Sequence, residues 1–221
     1  EATDRENQIY YQEMIHKSQT ASEKEMEQFT KDIRDKTDSI LADEQEQYES
    51  ERAALIVDYN KAIEDGIEFR GGAATEERLN ELLAELDAKF EARYLEISEQ
   101  RDEAILDMWQ SQTEQSGLSD AYNSTMELVD QVLSGNMEAD AAVETLKNQY
   151  GANPNAGETD WGAAIGNPST RNQLSEVFAR MIDGIGGYDQ LRKKILDYED
   201  KGDHENANRL KNLWTAQALV D

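Results

Sequence analysis

The sequence predicts an all-α fold: a long, coiled-coil-like antiparallel helical hairpin followed by a small bundle of short helices. Four observations lead there. From about Ala73 to Gln115, apolar residues step by threes and fours through Leu79, Leu82/Leu83, Leu86, Phe90, Tyr94, Ile97, Ala104/Ile105 and Met108. Within that stripe Leu83, Phe90, Ile97 and Ala104 lie seven apart, the spacing of a helix–helix seam. The strongest helix breaker is nearly absent, since only Pro154 and Pro168 occur and both fall in one segment. Finally, 38% of residues are apolar and 32% charged, which suits helices burying one stripe better than a thick core.

Taken in order, residues 3 to 70 read as one helix rich in Glu, Lys, Gln, Arg, Ala and Met. Thr3 with Glu6 has the pattern of a capping box. Met26, Phe29, Ile33 and Ile40 keep heptad-like steps, and Leu55, Tyr59 and Ala62 resume them. Between Leu41 and Leu55 the stripe thins to Tyr48, so this helix needs a partner along its length. Unbroken, it would run for about 100 Å; Ser18–Ser22 and Asp43–Gln47 are the places for a break.

Gly71-Gly72 punctuates the chain, with Gly71 able to take the left-handed conformation that ends a helix. Thr75 then caps the next helix, with Glu76 and Glu77 in its first turn. Residues 1–117 thus form the hairpin, with its turn near 70–75. The first helix outruns the second, so its start is expected to protrude or to pair with another subunit.

Residues 118–221 form the bundle. Helices are expected from Ser119 or Asp120 to Leu133, Glu138 to Tyr150, Ser169/Thr170 to Asp183, Tyr188 to Asp200, and Asp203 to Val220. Residues 151–169 hold both prolines and read as an irregular loop, with Trp161 as a buried anchor or partner contact.

The net charge of −26 limits partners. Residues 1–117 carry 31 acidic and 13 basic side chains, and residues 118–221 carry 17 and 9, so both parts are acidic. Direct nucleic-acid binding is not expected, because the one basic cluster, Arg192-Lys193-Lys194, runs straight into Asp197, Glu199 and Asp200. The longest aliphatic run, Ala53-Ala54-Leu55-Ile56-Val57, is far short of the roughly 18 residues of a membrane span. No cysteine is present, which removes disulfides, thiolate metal sites and cysteine nucleophiles. A chain opening on Glu1 already in helical pattern is expected to be a processed product or an internal piece of a longer protein.

Chemical motifs are sparse. Glu13-Met-Ile-His16 has the spacing used in two-metal helical bundles, but those sites need a second such motif, and the other histidine, His204, lacks one. Asp197 to Asn208 imitates a calcium loop, yet Lys201 would sit at a ligand position and Asn208 at the bidentate one. It reads better as a corner with Gly202 in the turn and Asp203 as cap. No catalytic residue, cofactor or metal ligand is assigned, and the chain is not expected to be an enzyme.

Tyr188 to Leu210 has the pattern of a repeat-type helix–Gly-Asp–helix corner. It resembles corners in helical adaptor repeats and in large helical phage virion proteins. The long acidic helical stretch followed by Gly-punctuated short helices resembles tape-measure and internal ejection proteins of phages. The resemblance is one of pattern and brings no functional residue with it. It implies a structural role in a virion, and the localisation that goes with one. The expected contacts are Met26, Phe29, Ile33, Ile40 and Trp161, holding a homo-oligomer or a larger assembly. The alternative is a cytoplasmic helical adaptor of a bacterial cell.

Overall fold

The computed structural model describes residues 2–151 and 169–221. Among them the chain forms eight helices and no strand. These are α1 (Ala2–Ser18), α2 (Glu23–Asp65), α3 (Glu76–Gln115), α4 (Ser119–Leu133), α5 (Ala139–Tyr150), α6 (Thr170–Gly184), α7 (Gly187–Asp200) and α8 (His204–Val220). The fold is all-α, with the long helices α2 and α3 packed together and short helices after them. Chain compactness defines two units, one of Lys31–Glu103 and one of Glu1–Thr30 with Ala104–Asp221. The second unit thus takes in the first residues of α2 and the last of α3 together with the short helices.

In the Lys31–Glu103 unit the helices run antiparallel. The Tyr48 hydroxyl donates to Asp87 Oδ1 at 2.7 Å, and Arg93 Nε donates to Glu44 Oε1 at 3.1 Å. Tyr48 also stacks on Phe90, with ring centroids 4.5 Å apart. Tyr48 was the lone apolar residue in the polar stretch, and the ring stack with its charged hydrogen bond compensates for the thin stripe there.

The end of this hairpin differs from expectation in one respect. α2 stops at Asp65, and Gly66, with φ 66°, ends it. The Ile67 N–H donates to the Ala62 carbonyl at 3.1 Å, closing a Schellman motif over the last turn. Gly71 is left-handed as well, with φ 79°, but it shares a tight turn with Arg70, φ 45°, between Phe69 and Gly72. Phe69 is buried and meets Tyr59 edge-on, which fixes the turn against α2. Thr75 Oγ1 accepts the Arg78 N–H at 3.2 Å and caps α3.

In the other unit the expected overhang is used up within the chain. α1 separates from α2 at residues 19–22 and buries Tyr11 and Met14, while Ser18 is fully enclosed. At the start of α2 the Ser22 N–H and hydroxyl both donate to Glu25, at 2.8 and 2.6 Å, the glutamate half of a capping box. The capping-box contact therefore lies here. Thr3, expected to cap the first helix, lies inside α1, which begins at Ala2.

Trp109 is buried, and its Nε1–H donates to Thr30 Oγ1 at 3.2 Å. α8 packs against α4, α5, α6 and α7, burying Ala207, Leu210, Leu213, Ala216, Leu219 and Val220. Asp203 caps it, accepting from the Asn206 backbone at 3.2 Å and the Asn206 side chain at 2.8 Å. Arg209 on α8 donates to Asp107 on α3 at 2.6 Å.

Candidate functional site

The residues expected to dock a partner occupy mixed environments. Met26 and Ile33 have no solvent-accessible surface within the single chain, whereas Phe29 and Ile40 are half-buried. Enclosing such a side chain contributes about 1.5–3 kcal/mol to folding. Met26 and Ile33 could meet a partner only if the chain opened, so they serve the core. Trp161 lies outside the described residues. Glu13 and His16 are both exposed on α1. Among the described residues no group of three or more His, Asp or Glu side chains is arranged to hold a metal ion.

A cleft of about 460 Å³ lined by Asp43, Glu46, Gln47, Ser50 and Glu51 lies along α2, whereas the concave sites of the bundle unit are smaller. The larger in the bundle unit is an open cleft of about 210 Å³ beside Trp109, Leu118, Val177 and Arg180. Arg180 is paired with Glu27 there. A second, of about 70 Å³, lies among Leu106, Tyr122, Phe178 and Leu213. Both fall below the several hundred Å³ of a typical small-molecule site, at about 300 Å³ or more. Burial raises the Tyr122 phenol above its ordinary range, with smaller opposing effects of the Arg209 and Asp107 charges.

The surface is more informative. Large exposed apolar side chains concentrate at the end of the hairpin: Ile56 (37% exposed), Val57 (63%), Ile63 (52%) and Ile67 (56%). Ala53, Ile56, Val57, Asn60 and Ile63 follow the three-and-four spacing of one helix face, and all five are exposed. The opposite face of the same turns carries Leu55, Tyr59 and buried Ala62, the side that packs within the hairpin. α2 therefore has two apolar stripes near its end, one covered and one open. The sequence announced the second as the run Ala53–Val57, which is too long for a single stripe. Elsewhere an exposed aromatic pair, Tyr188 and Trp214, meets edge-on at 6.0 Å.

Comparison with known proteins finds no matching family model, no similar curated protein and no similar solved structure.

Proposed function

We propose that this chain is a non-enzymatic structural or assembly protein that works through helix–helix contacts, with the open face of α2 as its docking surface. The observation that carries the reading is the exposed stripe of Ile56, Val57 and Ile63 on an otherwise charged hairpin. Isolated exposed apolar residues need no explanation, but several in helical register form a patch of the kind that marks interaction sites. A helix face read at these spacings is what another helix recognises. An internal or tail component of a phage virion is the setting that the resemblance in pattern suggests for such a role.

The test is fractionation of native-host extract on a density gradient, comparing the chain with a Val57→Asp/Ile63→Asp variant. The native chain is expected to migrate with a large complex, and the equally helical variant to sediment free. A native chain that sediments alone would favour a monomeric adaptor. A variant that stays in the complex would remove this face from the account.

A further inference from the structure

We infer that the occupant of the α2 face is a basic amphipathic helix of a different protein. The inference rests on the docking reading and adds the partner's chemistry. Acids stand at both ends of the apolar strip, with Arg52 and Lys61 one turn from Ile56 and Val57 along its flanks. Glu46 and Glu49 precede it on the same side of the helix, and Glu64 follows Val57 by seven residues, all three exposed. From Glu46 to Asp65 there are six acidic residues against two basic ones, Arg52 and Lys61. The whole Lys31–Glu103 unit holds 22 acidic and 10 basic side chains.

A second copy of the chain would bring the same acid-ended strip to the contact, on a molecule of net charge −26. Like charges at those ends oppose that pairing wherever salt does not screen them. A helix with leucine-like residues on one face and Lys or Arg beside them satisfies both halves of the site. Its apolar face covers Ile56, Val57 and Ile63, and its cations meet Glu46, Glu49 and Glu64.

The probe is a synthetic helical peptide of leucine and lysine with its leucines on one face, titrated into the full chain. A leucine–glutamate peptide of the same pattern is the control. The leucine–lysine peptide is expected to bind once per chain, more weakly as salt rises. Val57→Asp/Ile63→Asp should lower its affinity about tenfold or more with helicity unchanged. Glu49→Gln/Glu64→Gln should lower affinity and flatten the salt dependence.

Equal binding by the native chain and the Asp variant would overturn the inference, as would equal binding of the glutamate peptide. Self-association of the native chain, lost in the Asp variant, would give the face to a second copy; the docking reading would then survive and the partner assignment would not. A face inert to both peptides and to its own copies would remove both.

Discussion

Gly184 in α6 and Ile105 in α3 meet so closely that a β-carbon on Gly184 would lie 2.6 Å from Ile105 Cγ2. Ile105 is fully buried and β-branched, so its methyl group cannot swing aside. Gly184→Ala should therefore destabilise the chain by about 1–3 kcal/mol in urea unfolding followed by circular dichroism. Pairing it with Ile105→Ala should cost less than the two single changes added together, because the second removes the clashing methyl. Strict additivity would show that the helices simply move apart.

The hairpin turn offers a change of opposite sign. Arg70 holds a left-handed conformation that an L side chain disfavours, and its ion pair with Asp58 is about half exposed. Arg70→Asn should stabilise the chain by about 0.5–1 kcal/mol, since Asn tolerates this conformation. Gly71→Ala, with open space around it but φ 79°, should cost about 1 kcal/mol. A loss on Arg70→Asn would mean that the Asp58 contact outweighs backbone strain.

Two helix caps carry a pH dependence. Hydrogen bonds from the Ser22 side chain and then the Ser22 backbone N–H hold the Glu25 carboxyl below its usual range. The Asn206 side chain, and then its backbone, do the same for Asp203. Both folded values are depressed, so each cap contributes fully above the unfolded value. The contribution is lost as pH falls through the folded one. Carboxyl-carbon NMR titration should show Glu25 moving up toward an ordinary glutamate in Ser22→Ala, and Asp203 moving up in Asn206→Ala. Unchanged titration in either variant would detach that cap from the carboxylate.

Much of the fold was legible in the sequence. The three-four spacing from Leu79 to Met108 marked α3, and the Gly and Ser/Thr/Asp signals bracketed the short helices. The seam Leu83, Phe90, Ile97 and Ala104 is graded in the structure, half-buried at its first two positions and buried at the last two. Spacing gives the direction of a side chain, but the depth of cover above it depends on what else packs there. The same limit separates Gly66 from Gly71: both are left-handed, and hydrogen bonding alone decides which one ends α2.

The candidate site was legible only as composition. Met26 and Ile33 formed the better heptad pattern, and both are fully buried within the single chain. Ile56 and Val57 adjoin the inward Leu55 and Tyr59 in sequence but lie outside the seven-residue pattern. Five consecutive apolar residues span more than half a helical turn's circumference, so some had to face outward. Which ones do depends on the register with α3, which no single segment encodes.

The most direct test of the central claim is methyl NMR of the full chain during titration with the leucine–lysine peptide. The account predicts that the methyl resonances of Ile56, Val57 and Ile63 shift together, while those of buried Ile33, Ile182 and Ile185 hold still. Shifts gathered instead around Tyr188 and Trp214, or none at the α2 face, would contradict it.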